Sequence, residues 1–295
     1  MPANAIRRAE EKIPGGGGAL FIRSWRPEGE ARAVIVIVPG FNSHSGYYQW
    51  AGPRLAENGF ATYALDLRGR GQSDGPRYFV ETVEEYTADV GALVQTAKRR
   101  EPNCPVYLFG HSAGGVISCI YTLDHPSDLS GLICESFAFQ VYAPDFVLAV
   151  VKGISRVVPR APILKLPNGD FSRLRSVVSA MDSDPFVNAE VEPASTVAAM
   201  ARANSRLKAE FPRITLPLLI LHGTADKVTK PGGSQFFDDT AGAADKTLRL
   251  YEGHVHDLLS DTGQEKVLDE IVAWVGARVG KQGQTSSMAG RSEAE

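Results

Sequence analysis

Cysteine is scarce: the 295 residues hold three, Cys104, Cys119 and Cys134. The count is odd and the spacing fits no metal site, which excludes a disulfide framework and a thiolate metal centre as organising devices. Reduced, mostly buried thiols are expected, and they suit a cytoplasmic location. Long apolar runs are missing too. The longest suspicious one, Phe146 to Val151, falls far short of the roughly 18 to 20 residues of a membrane span. Met1 to Arg8 lack the apolar core of a secretory signal. Neither charge sign dominates: the formal net charge is -3 and no long basic run occurs, so no nucleic acid partner is expected. No internal repeat is visible. Residues 280–295 have almost nothing to bury, and a disordered tail is expected there.

What is present is ordinary globular composition. With 43% hydrophobic and 22% charged residues, the chain can build one large core, or a core with a small insert. Ala33 to Val38 (Ala-Val-Ile-Val-Ile-Val) is apolar on both faces, as a strand covered by helices on both sides must be. Further strands are predicted at Ala19 to Trp25, Phe60 to Leu65, Val106 to Phe109, Leu129 to Cys134, Leu216 to Leu221 and Lys246 to Tyr251. Helical spacing alternates with them at Tyr47 to Asn58, Thr82 to Arg100, Gly232 to Thr240 and Gly263 to Val279. The class is therefore α/β with a mostly parallel sheet flanked by helices. Residues 136–213 break the alternation with frequent prolines and short apolar helical pieces, and they read as an inserted helical cap. The expected division is a core of 1–135 and 214–279, the cap 136–213, and the tail 280–295.

The informative stretch is Val106-Tyr107-Leu108-Phe109-Gly110-His111-Ser112-Ala113-Gly114-Gly115-Val116-Ile117. A strand that turns sharply into a helix needs small residues on both sides of the turn. Gly110 and Gly114 supply them, so Ser112 can sit strained at the tip of a nucleophile elbow with its hydroxyl pointing out of the sheet. The pattern Gly-x-Ser-x-Gly alone is weak, since Gly71-Gln72-Ser73-Asp74-Gly75 also fits. That copy follows no strand directly and precedes Pro76, so Ser73 reads as a loop residue. The loop is no phosphate cradle either, because no Gly-Lys-Ser/Thr closes it.

A serine hydroxyl needs a base, and the base needs an orienting carboxylate. In open α/β sheets such groups gather at the carboxyl ends of strands. Asp226 follows the strand at 216–221 and His256 follows that at 246–251, giving the chain order Ser, Asp, His of the α/β-hydrolases. Asp226 could instead be a turn or cap residue. His254, two residues before His256, would face the same way in extended chain, so spacing does not separate them. A metal reading of the His-Val-His pair has no third ligand nearby. For the oxyanion, the Ala113 amide behind the serine is one donor, and the Phe41 amide in Pro39-Gly40-Phe41 is the candidate second. That segment also reads simply as a tight turn. His44, Ser45 and His111 read as scaffolding.

In combination, these motifs resemble the monoacylglycerol lipase and lysophospholipase branch of the serine α/β-hydrolases. The matching residues are Gly40 to Tyr48, Asp66 to Ser73, Gly110 to Gly115, His222-Gly223-Thr224-Ala225-Asp226 and Tyr251 to His256. The resemblance spans about residues 18 to 279. It implies Ser112, Asp226 and His256 as the triad, favours His256 over His254, and implies Phe41 and Ala113 as oxyanion donors beneath a lid. Two departures stand out. Pro39 replaces the histidine that the family usually has before Gly40, removing a polar side chain under the loop. Ala113 replaces a frequent methionine and keeps the amide.

The implied reaction is hydrolysis of a small-molecule carboxylic ester with one apolar chain, monoacylglycerol- or lysophospholipid-like, through an acyl-serine and without cofactor or metal. Small aryl or alkyl esters, amides or peptides, and acyl transfer are alternatives on the same fold. A non-catalytic ligand-binding scaffold is a remote one. Epoxide and haloalkane hydrolases carry Asp at the nucleophile position and do not fit. The cap is too apolar for a free surface: packing of its apolar residues on the core is one reading, and an acyl-binding wall, with Phe139, Tyr142 and Phe146 as candidates, or a lipid-docking patch is the other. Oligomeric state is not readable.

Overall fold

The computed structural model describes residues 5–292. In chain order its elements are β1 (Ile6–Gly15), β2 (Gly18–Pro27), β3 (Ala33–Val38), α1 (Ala51–Glu57), β4 (Phe60–Leu65), α2 (Val83–Arg100), β5 (Val106–His111), α3 (Ala113–Asp124) and β6 (Gly131–Glu135). There follow α4 (Asp145–Val157), β7 (Pro162–Leu164), α5 (Arg175–Ser183), β8 (Glu192–Pro193) and α6 (Ala194–Glu210). The last elements are β9 (Leu218–Gly223), α7 (Pro231–Thr240), β10 (Lys246–Tyr251) and α8 (Gln264–Ser292). Eight strands form one sheet in the order β1-β2-β4-β3-β5-β6-β9-β10. Strands β4 to β10 within it pair in parallel, while β1 and β2 add an antiparallel edge.

β3 shows why the parallel part is buried on both faces. Val34, Val36 and Val38 join the core beneath α2 and α3, while Ala33, Ile35 and Ile37 join the core beneath α1 and α8. Period-two alternation therefore feeds two apolar layers from one strand. α2 begins where expected, with a capping box between Thr82 and Glu85. α8 closes the second layer with Val267, Leu268, Ile271, Trp274 and Val275, spaced as one helical stripe.

Three features depart from the sequence expectations. β1 was not anticipated. Its charged face gives no apolar alternation, and it is held to the fold by ion pairs: Arg23–Glu10 at 2.8 Å, Lys12–Asp74 at 2.7 Å and Arg100–Glu11 at 2.7 Å. α8 does not stop at Val279. It continues to Ser292 through part of the stretch expected to be disordered, where no proline interrupts it. Residues 293–295 of that expected tail lie outside the described residues. The insert between β6 and β9 also carries more than helical pieces, since β7 and β8 pair as a small ribbon. Its second half shares the main core. Ala199, Met200, Ala203 and Leu207 of α6 belong to the same apolar cluster as β5 and α3, because small residues let the helices approach closely.

The Trp274 ring meets Tyr107 edge-on at 5.8 Å, and the Arg278 guanidinium lies 3.8 Å above it. Trp274→Ala is expected to cost about 3–5 kcal/mol in chemical denaturation. A loss below about 1 kcal/mol would show that α8 does not help close the core.

Candidate active site

β5 runs straight into α3, and Ser112 takes the whole change of direction at φ 54°, ψ -118°. A residue with a side chain holds such a conformation only when its surroundings over-determine it. They do here. The Ser112 amide donates to Glu135 O at 2.8 Å, and its carbonyl accepts from Gly115 at 3.0 Å and Ala138 at 3.2 Å. The neighbouring glycines are steric necessities. A Cβ on Gly110 would lie 2.5 Å from Gly114 O, and one on Gly114 would run into Val38 O.

The turn delivers the hydroxyl to a waiting imidazole. Ser112 Oγ lies 2.9 Å from His256 Nε2, and His256 Nδ1 lies 2.8 Å from Asp226 Oδ2. A carboxylate only accepts, so Nδ1 carries the ring proton and Nε2 is left to accept from the serine. Asp226 is held in turn. Val228 and Thr229 donate backbone N–H bonds to Oδ1 at 2.7 and 3.0 Å, and Thr229 Oγ1 lies 2.8 Å from Oδ2. His222 Nε2 stands 3.1 Å from the same oxygen, with its Nδ1 2.7 Å from Ser234 Oγ. Burial alone would raise the Asp226 carboxyl. The His256 ring, His222 and the Thr229 amide outweigh it and hold Asp226 well below the usual carboxylate range. His222 and Thr229 had no role in the sequence reading, where His222 entered only as the first residue of the motif that ends in Asp226.

The other residues also fall into place. His254 points elsewhere, its Nδ1 3.2 Å from Glu252 O. Ser73 spends its hydroxyl on Asp66 O at 2.6 Å and on the Phe21 amide at 2.8 Å. His44 bonds Asp184 at 2.9 Å and the Gly46 amide at 3.0 Å, and Ser45 accepts from Arg23 at 2.7 Å. Among the described residues, one group could offer three metal ligands: His111, Glu135 and Asp257, within 4.8 Å of one another. It lies behind the imidazole and excludes the His254–His256 pair. Glu135 Oε1 also accepts from Leu258 at 2.6 Å and Leu259 at 3.1 Å, fixing the loop that carries His256.

Phe41 and Ala113 flank Ser112 on the wall of one cavity of about 320 Å³. The Ala113 N–H opens α3 and so has no carbonyl of its own helix to meet. Among the described residues the Phe41 N–H makes no hydrogen bond within the protein. The rest of the wall is mostly apolar, with Val147, Leu148 and Val151 from α4, Ile163 and Leu164 from β7, and Met200 from α6. Of the three wall candidates, Tyr142 lines this cavity and the other two do not. Phe139 packs into an aromatic cluster, 4.8 Å from Phe211 and 5.6 Å from Phe236. Phe146 faces outward, 70% exposed, while Val147, Leu148 and Val151 of the same helix line the cavity.

His111 packs at 4.9 Å from the His256 ring. Burial, and then the neighbouring His256, push its pKa down to about 3. Its folded pKa lies below the unfolded value near 6.5, so its neutral form contributes stability above about pH 6.5 that is lost as pH falls toward 3. His111→Asn is therefore expected to lose less stability than wild type between pH 7 and pH 4, by on the order of 3 kcal/mol. Denaturation curves at the two pH values check this, and parallel losses in both proteins would refute it.

Residues 29–263 match the family described as Serine aminopeptidase, S33. The chain is 30% identical to the monoacylglycerol lipase of Mycolicibacterium smegmatis over 91% of its own length and 97% of that protein's. It is 31% identical to the monoglyceride lipase of Rattus norvegicus, covering 96% of this chain and 98% of that one. Among solved structures, the monoacylglycerol lipase of Paleococcus ferrophilus superposes with a TM-score of 0.78 at 27% identity, over 92% of this chain and 99% of that one.

Proposed function

The chain belongs to the serine α/β-hydrolases of the Serine aminopeptidase, S33 family, on the monoacylglycerol-lipase-like branch, and from that membership we propose that it hydrolyses monoacylglycerol-like esters at Ser112. One observation carries the reading: the 2.9 and 2.8 Å contacts that join Ser112, His256 and Asp226 end on a serine that lines a mainly apolar cavity of about 320 Å³.

In this reading Ser112 Oγ attacks the ester carbonyl carbon while His256 Nε2 takes its proton. The carbonyl oxygen becomes an oxyanion and meets the Phe41 and Ala113 amides. Asp226 stabilises the imidazolium and keeps its orientation. The tetrahedral intermediate collapses by breaking the bond to the alcohol oxygen, which takes the proton from His256. Water then repeats the sequence on the acyl-serine, and the carboxylic acid leaves with Ser112 restored. The acyl chain occupies the space between α4, β7 and α6. The free cysteines, with Cys119 and Cys134 sharing a sulfur–sulfur hydrogen bond at 3.7 Å and no disulfide, support a cytoplasmic setting.

Ser112→Ala should lower kcat at least about 10⁴-fold and abolish labelling by a fluorophosphonate. Along a series of p-nitrophenyl esters, each methylene buried is worth about 0.8 kcal/mol, so kcat/KM should rise about fourfold per methylene until the cavity is full. A flat series would remove the acyl-cavity assignment, and full activity in the alanine variant would remove the mechanism.

The outward stripe of α4, with Phe146 70% and Val157 82% exposed, supports docking on a lipid surface. No helix among the described residues is long and apolar enough to cross a membrane. Replacing Phe146 and Val150 by Ser is expected to weaken binding to phospholipid vesicles at least about tenfold, with the rate on a soluble ester unchanged. Undiminished vesicle binding would overturn the docking role.

A further inference from the structure

The strained residue of the oxyanion loop is held by the insert. Asn42, next to Phe41, sits at φ 51°, a region side-chain-bearing residues rarely enter. Its backbone N–H donates to Glu190 Oε1 at 2.8 Å, and its Nδ2 donates to Leu166 O at 3.1 Å and Asn168 Oδ1 at 2.8 Å. All three acceptors lie between β6 and β9, at least 124 residues along the chain from Asn42.

Glu190 is itself clamped. Arg70 Nη1 donates to the same Glu190 oxygen, and Arg70 Nη2 reaches both Glu192 oxygens at 2.8 and 2.7 Å. The three side chains are buried, and the Arg70 guanidinium lies 4.1 Å over the Phe41 ring. One cation thus stacks on the loop residue and fixes the carboxylate that holds the next. Burial, opposed by Arg70 and reinforced by Glu190, pushes the Glu192 carboxyl well above the usual carboxylate range. An unpaired Glu190 carboxylate this close would oppose negative charge developing at the Phe41 amide, and the Arg70 guanidinium bonded to it offsets that opposition.

An oxyanion donor works only if it is aimed before the reaction starts, within about 2.7–3.1 Å of where the oxyanion will be. Pro39 offers no side-chain hydrogen bond and no N–H for that purpose. We infer that Glu190, clamped by Arg70, is a positioning residue for the oxyanion hole, fixing the Phe41 amide through Asn42 from the insert side. The inference rests on the role of the Phe41 amide proposed above.

The test compares Glu190→Ala and Glu190→Gln in the full chain, with kcat expressed per serine titrated to completion by a fluorophosphonate. Glu190→Ala is expected to lower kcat about 10- to 100-fold, below the full 10²–10³ of a deleted donor, with KM within about threefold. It should weaken a trifluoromethyl ketone transition-state analogue by the same factor as kcat. Glu190→Gln keeps an oxygen that accepts from Asn42 and is expected to stay within about fivefold of wild type. A residue that only supports the fold would lower the titratable fraction and leave kcat per site and analogue affinity alone, and that outcome overturns the inference. So does a glutamine variant no better than alanine. If Glu190→Ala does not fold, Glu190→Asp decides, since it keeps the charge and shortens the reach: kcat per site must fall, and an unchanged value overturns the inference. Ser112→Ala run alongside separates the two readings. If it is inactive while Glu190→Ala is normal, the positioning role alone fails; if it is active, the hydrolase mechanism fails first.

Discussion

A buried carboxylate that must stay charged is the constraint around which the site is arranged. Asp226 sits out of water, where its ionised form is costly, and it persists because the Val228 and Thr229 amides, the Thr229 hydroxyl and two imidazoles surround its two oxygens. Each of those donors comes from the end of β9, the turn after it, or the loop after β10. The parallel register of β9 and β10 brings these ends together, with Leu250 beside His222 and Tyr251 beside Gly223. The sheet therefore does electrostatic work at its carboxyl edge as well as mechanical work in its middle.

Much of this was legible in the sequence because strong periodicity and strong sterics leave few options. The alternating valines and isoleucines of β3 pointed to a strand covered on both faces, and the strand-to-helix setting of Gly110 and Gly114 pointed to a crowded turn at Ser112. Contacts between distant, polar or irregular segments were not legible. β1 has no apolar alternation, since its partners are the ions Arg23, Asp74 and Arg100. Phe139 and Phe146 are equally apolar in the sequence, yet one fills an aromatic cluster and the other faces out. Which does which depends on the direction in which the chain leaves β6, and composition does not encode that. Arg70 gave no sign of its two glutamates, because they lie 120 and 122 residues away.

The insert is best understood as two halves with different attachments. α6 shares the main core through its alanines, and the segments near Leu166, Asp184 and Glu190 are laced to residues 42–47 by hydrogen bonds. α4 is different. It walls the cavity on one side and presents an apolar stripe outward on the other. Rearrangement that admits a long acyl chain is easier at α4, where fewer polar contacts must break, than at the laced half.

The charged hairpin at the start of the chain has a consequence for how copies of the molecule meet. A sheet of eight strands ends in two rows of unpaired backbone groups, and such rows invite a neighbour's strand. At one end, any newcomer aligning with β1 would have to strip water from Arg7, Arg8, Glu10 and Lys12, all exposed there. The outermost strand thus acts as a fence that makes extension of the sheet costly at this edge.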